Sequence, residues 1–164
     1  MIAELTAFAI CVEIPNSTAV LENSRAADLM SMYEILICFA GDISFIELPA
    51  RRVVCRFNEA PVLGFACDMA EAIGRMRDGA LSCDFHDFYG SFQVTFERDL
   101  SGTVVMKITG PENVGIRTSI ATLRAAVKQV LEELPGIVCA RVPALSKNPE
   151  FHEVMAIARR LVEE

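Results

Sequence analysis

No apolar run in the 164 residues is long enough to cross a bilayer: the longest, such as Ile35 to Ala40, fall far short of the roughly 20 residues a helical span requires. The N-terminal Met-Ile-Ala-Glu-Leu-Thr has no basic flank of the kind that precedes the apolar part of a secretory signal, so a cytoplasmic location is expected. Histidine occurs only at positions 86 and 152, and no Cys-x-x-Cys pair is present. The six cysteines, at 11, 38, 55, 67, 83 and 139, are irregularly spaced among Ile, Val, Phe and Ala. That pattern argues against a disulfide framework or a zinc knuckle and reads as reduced thiols acting as small hydrophobes. Glycine-rich phosphate cradles are missing too: before the helix that follows residue 110, Pro111 removes a donor and Glu112 has the wrong charge for an anion site. Ser101 lacks a Gly-x-Ser-x-Gly elbow. His152, in Glu-Phe-His-Glu, lacks the second histidine of a zinc helix motif because position 156 is Ala, so it reads as part of a solvated helix face. No cofactor and no metal are expected, and no complete catalytic set is present.

Acidic residues are in excess, 22 against 15 basic, for a net charge of −7. The excess falls within the first 110 residues, since residues 111–164 carry 7 of each sign. Such a field repels phosphate backbones and anionic membranes, so neither nucleic acid nor a membrane is an expected ligand, whereas a basic protein is sign-matched. The adjacent pairs Arg51-Arg52 and Arg159-Arg160 are too short for a nucleic-acid patch and read as a solvated edge or a helix C-terminus. With 52% hydrophobic residues, one domain spanning 1–164 can bury its own core.

Periodicity divides the chain as follows. Residues 2 to 14 suit a first strand, and Asn16 or Ser17 caps a helix expected over 18–31. Tyr33 to Ala40, Gly41-Asp42 and Ile43 to Leu48 have the form of a hairpin, followed by a strand from Arg51 to Phe57. Phe65, Met69, Ala72, Ile73 and Met76 fall at helical spacing, with Asp68, Glu71 and Arg75 assigned to the other side and Asp78-Gly79 as the stop. Phe92, Val94 and Phe96 alternate with Ser91, Gln93, Thr95 and Glu97, as in a strand with one wet face. Thr103 to Thr109 returns, and Leu81 to Phe88 pairs on the other side, giving three antiparallel strands. Gly110-Pro111 breaks this sheet, and a helix with Ile116, Ile120, Leu123, Val127, Val130 and Leu134 ends at Pro135-Gly136. Ile137 to Val142 makes a short strand, and Asn148-Pro149 starts a last helix. Strands followed by a helix ending near 77, and again near 134, form a weak internal echo. The fold class is α+β: a mostly antiparallel sheet with helices on one face.

The densest polar chemistry lies in Cys83 to Asp99. On a strand, Asp84 and His86 share a face and Asp87 lies opposite. The pair suits proton transfer, as in a small enzyme or ligand-binding domain using His86 with Asp84 or Asp87. It equally suits an acidic rim in which Asp84, His86, Asp87, Glu97 and Asp99 surround two turns, with Tyr89 as a half-exposed aromatic for recognition. A third reading is a structural subunit that dimerises through its open sheet face.

The Phe-x-Val-x-Phe strand from Phe92 to Phe96, the Arg98-Asp99 to Gly102 turn, the return strand and the helix with Leu123, Val127, Val130 and Leu134 carry a resemblance. The segment from Asp84 to Leu134, about a third of the chain, resembles the C-terminal part of small cytoplasmic immunity proteins that neutralise bacterial contact-dependent or polymorphic toxins. The resemblance implies a non-enzymatic acidic domain that binds and blocks its toxin's catalytic domain. Contact surfaces vary within such families, so the partner-binding set Asp84, His86, Asp87, Tyr89, Glu97 and Asp99 rests on charge alone.

Overall fold

The computed structural model describes residues 2–4, 6–14, 27–87, 89–110 and 113–163. Among these are eight strands: β1 (Ile2–Glu4), β2 (Phe8–Glu13), β3 (Ala40–Glu47), β4 (Arg52–Pro61), β5 (Ser82–His86), β6 (Gln93–Arg98), β7 (Thr103–Thr109) and β8 (Val114–Ser119). Four α-helices accompany them: α1 (Met32–Cys38), α2 (Val62–Arg77), α3 (Ile120–Arg141) and α4 (Pro149–Glu163). The fold is α+β, but the strands form two sheets. One has the order β2-β3-β4 and is antiparallel; the other has the order β1-β8-β7-β6-β5 and is antiparallel except that β1 runs parallel to β8. In each sheet an antiparallel meander ends directly in a helix, β4 in α2 and β8 in α3, which is the physical form of the echo in the sequence.

The expected alternation holds in β6 and β7. Val94, Phe96, Val104, Met106 and Ile108 are buried, while Glu97 and Lys107 face water. The two sheets meet through aromatic rings carried on α2. Phe65 lies 6.2 Å from Phe45 and 5.8 Å from Phe57 of the three-stranded sheet, centroid to centroid. The same ring lies 5.9 Å from Phe85 and 6.2 Å from Phe92 on the five-stranded side. Phe57 and Phe92 stack directly at 4.2 Å.

Several expectations are corrected. The single first strand is two, β1 and β2, which join different sheets. Of the helix expected over 18–31, residues 18–26 lie outside the described residues and Ala27–Leu29 is one 3-10 turn. The first arm of the expected hairpin is α1, held by a capping box: Ser31 Oγ accepts from the Glu34 N–H, and Glu34 Oε2 accepts from the Ser31 N–H at 2.8 Å. Gly41-Asp42 lies inside β3 rather than in a turn. A Cβ at Gly41 would sit 2.6 Å from the Glu13 carbonyl oxygen and 2.8 Å from Val62 Cγ1, so the glycine answers to close approach. The hairpin turn lies instead at 48–51, with a cis Leu48–Pro49 bond and Arg51 at φ 53°. Gly110-Pro111 does not end the second sheet, because β8 pairs with β7 and supplies Ile116 to the core as a strand residue.

Pro135-Gly136 does not end α3 either, and Ile137 to Val142 is no strand: the helix runs to Arg141. Proline has no N–H for the carbonyl four residues back, here that of Leu131. Arg159 of α4 supplies the missing donors, with Nε and Nη2 at 3.3 and 3.2 Å from the Leu131 oxygen. Arg159 is thus a structural bond between helices and not a solvated charge. The Asn148-Pro149 start of α4 holds, and Asn148 does more than cap it. Its Oδ1 accepts from the Phe151 N–H at 3.1 Å while Nδ2 donates to the Met30 carbonyl at 2.9 Å, tying α4 to the approach to α1. The His152 Nε2–H donates to the Ser146 carbonyl at 2.6 Å, so this side chain serves the preceding turn.

Two outcomes are expected in chemical denaturation. Phe65→Ala should cost about 3–5 kcal/mol, the range for emptying a phenylalanine site in a core. Arg159→Met should cost about 1–3 kcal/mol through the orphaned Leu131 carbonyl. In a Pro135→Ala background, where a backbone N–H can take that carbonyl, the Arg159→Met cost should shrink to a fraction of its wild-type value; equal costs in both backgrounds would refute the pairing.

Candidate functional site

The outer face of the five-stranded sheet holds half of the sequence-predicted set together. Asp84 and His86 on β5 and Glu97 on β6 point outward, as alternation requires. His86 Nε2 lies 3.8 Å from Asp84 Oδ2, which also accepts from Gln93 Nε2 at 3.2 Å. Glu97 Oε1 pairs with Lys107 Nζ at 2.6 Å, and Arg117 lies 4.0 Å from Glu4 on the same face. Opposite charges therefore balance much of this surface. The His86–Asp84 pair is open to water on its strand, where a surface ion pair contributes little.

Asp87 and Asp99 each bond the backbone of their own turn. Asp87 is 7% exposed, and its two carboxylate oxygens accept from the backbone N–H groups of Phe92 at 2.8 Å and Tyr89 at 3.3 Å, bracing the β5–β6 turn. Asp99 Oδ1 accepts from the Ser101 hydroxyl at 2.6 Å and from the Ser101 and Thr103 N–H groups at 2.9 and 3.0 Å. These bonds, the Ser101 hydroxyl first, hold its carboxyl below the usual range. Tyr89 is 62% exposed in the turn that Asp87 braces.

The carboxylate with the most unusual surroundings is one assigned in the sequence to the polar side of α2. Asp68 lines a groove of 180 Å³ between α1, α2 and α4, whose apolar wall includes Leu36, Val154, Ile157 and Leu161. With Glu71 it also lines a small adjoining hollow of 50 Å³ that reaches Arg75 and Asp84. The acid at the edge of β5 is thus continuous with two acids on α2. Among the described residues no cation and no hydrogen-bond donor meets the Asp68 carboxylate within bonding distance. Its carboxyl is pushed up to about 6, first by burial and then by the charge of Glu71. Cys67 beside it is driven up to about 12 by burial, and burial also raises the Cys83 thiol, so neither is an activated nucleophile. No disulfide joins the six cysteines; Cys55 and Cys83 are buried and Cys11 is exposed.

A signal for Asp68 existed in the sequence. Position 68 is three residues after Phe65 and four before Ala72, both buried, so helical spacing places it at the border of the apolar stripe. Leu29, in the turn before α1, and Tyr33, in the first turn of α1, are 83% and 58% exposed. Among the described residues no three of His, Cys, Asp or Glu converge as metal ligands, and no helix is long and apolar enough to cross a membrane.

In the unfolded chain Asp68 titrates near 3.8. Between that value and about 6 the folded protein keeps a proton that the unfolded chain has released, so stability falls as pH rises through this window and stays lower above it. Asp68→Asn should remove this contribution: the variant is expected to melt above the wild type at neutral pH and to converge with it near pH 4. Thermal melts followed by circular dichroism across that range check this, and parallel curves would count against it.

Comparison of the chain with protein-family models, with curated proteins and with solved structures returns no match.

Proposed function

We propose that this chain is a binding protein that holds a basic protein partner on the surface running from the α1–α2–α4 groove across α2 to Asp84. The observation that carries the reading is Asp68: a carboxylate sunk in an apolar groove, raised in pKa and without a cation among the described residues. A partly buried, unpaired charge costs stability, and a ligand that brings a lysine or arginine to it offsets that cost. Glu71 and Asp84 extend the negative field along the same surface, which speeds encounter with a positive partner and orients it. His86, Glu97 and Tyr89 lie further along, on the sheet face and turn beyond Asp84. The resemblance of residues 84–134 to toxin immunity proteins supplies the partner class, the catalytic domain of a toxin, which is neutralised by being bound without any chemistry.

Co-expression with the product of the reading frame immediately upstream tests this. A stable complex is expected to co-purify, to weaken with salt, and to be lost on Asp68→Lys or Asp84→Lys while the far-ultraviolet spectrum stays that of the wild type. A complex that both variants form as tightly as the wild type would reject this surface, and elution of the chain alone would reject the toxin reading.

A further inference from the structure

On the other side of the α2–α4 crossing lies a second cavity, of the opposite sign. It is a cleft of 480 Å³ between α2, α3 and α4. Arg77, Arg98, Arg124 and Lys128 line it, and no lining residue is acidic. Its floor is apolar, made by Ile73, Ile120 and Leu161 with two alanines. In a chain of net charge −7, four cations around one cleft are a local inversion of the overall field.

Part of this charge is structural. Arg98 donates to the Met76 carbonyl near the end of α2, and Arg124 donates to the Val162 and Glu163 carbonyls at the end of α4. The two helix C-termini therefore converge here, each met by an arginine. A helix terminus carries only about half a charge, however, so two of them do not balance the cations. Arg77 is paired with Asp78 at 2.9 Å, and Lys128 lies 4.0 Å from Glu132. Arg98 and Arg124 meet neutral carbonyls among the described residues and no carboxylate. Each guanidinium has five N–H donors, so the bonds to carbonyls hold it in place and leave others for an oxyanion.

We propose that this cleft binds a small amphipathic anion: a carboxylate or phosphate monoester whose aliphatic or aromatic body rests on Ile73, Ile120 and Leu161. An oxyanion suits the arginine forks, and the apolar floor selects against a fully hydrated inorganic ion. The site is separate from the acidic groove: Leu161 borders both, and its side chain packs on α2 at Gly74, where an added Cβ would lie 3.0 Å from Leu161 Cδ2.

Calorimetric titration with n-octyl phosphate tests it, with inorganic phosphate and octyl glucoside as the probes lacking body and charge. Octyl phosphate is expected to bind one to one, far more tightly than either, and to weaken about tenfold between about 0.01 and about 0.15 M salt. Lys128→Glu, at an exposed position that should leave the fold intact, is expected to weaken binding at least tenfold, and Lys147→Glu, away from the cleft, to leave it unchanged. Amide shifts in a ¹⁵N spectrum should cluster around the cleft. No saturable binding, equal binding of octyl glucoside, indifference to Lys128→Glu, or shifts centred elsewhere would each overturn the proposal.

Discussion

The packing of Phe65 against rings from both sheets is the contact on which the rest of the molecule depends. Each sheet buries one face, but the two share no strand and are connected in the core through Phe45, Phe57, Phe85 and Phe92 around that one side chain of α2. Helix α2 is therefore fixed in position from its first turn. The Val62 N–H donates to the Phe39 carbonyl at 2.9 Å, and β3 passes so close that Gly41 has no room for a side chain. Once Phe65 faces the aromatic cluster, helical geometry carries Asp68 to the flank of α2, at the lip of the α1–α4 groove. The unusual environment of the acid follows from the packing of the aromatic ring.

The same helix separates two surfaces of opposite character. Toward α1 and β5 it presents Asp68 and Glu71; toward α3 its Ile73 and Arg77 border a cleft rich in arginine. Net charge alone suggests one acidic surface and one kind of partner. The fold sorts that charge. On the outer sheet face Glu97 and Glu4 face Lys107 and Arg117, whereas among the described residues no cation lies within bonding distance of Asp68, and Arg75 lines the hollow beside it.

Elements whose local chemistry matches their environment were legible in the sequence: the β6–β7 hairpin with its strict alternation, the α2 stripe, and the Asn148-Pro149 start of α4. Those that depend on distant partners were not. The segment from Met32 to Cys38 consists largely of residues that suit strands, and becomes helix through the Ser31–Glu34 capping box and the burial of Ile35. Helix α3 crosses Pro135 because an arginine on another helix takes up the Leu131 carbonyl, a contact between residues 28 positions apart. Strand β8 was hidden by the punctuation of Gly110-Pro111. In the candidate site, alternation places Asp84 and His86 on one face of their strand and Glu97 on the wet face of the next. Asp87 and Asp99 looked identical to these as charges, yet their short side chains bond the backbone of their own turns, chemistry to which aspartate is prone. A charge on an amphipathic helix reads as solvated, and the position of α4 is what partly encloses Asp68.

The account turns on the claim that Asp68 is a carboxylate kept short of partners. The most direct measurement is the titration of its side-chain carboxyl carbon by nuclear magnetic resonance in the free protein, assigned with Asp68→Asn. A midpoint near 6 is expected. A midpoint in the ordinary aspartate range, near 4, would mean that the carboxylate is solvated or already paired, and would contradict the claim.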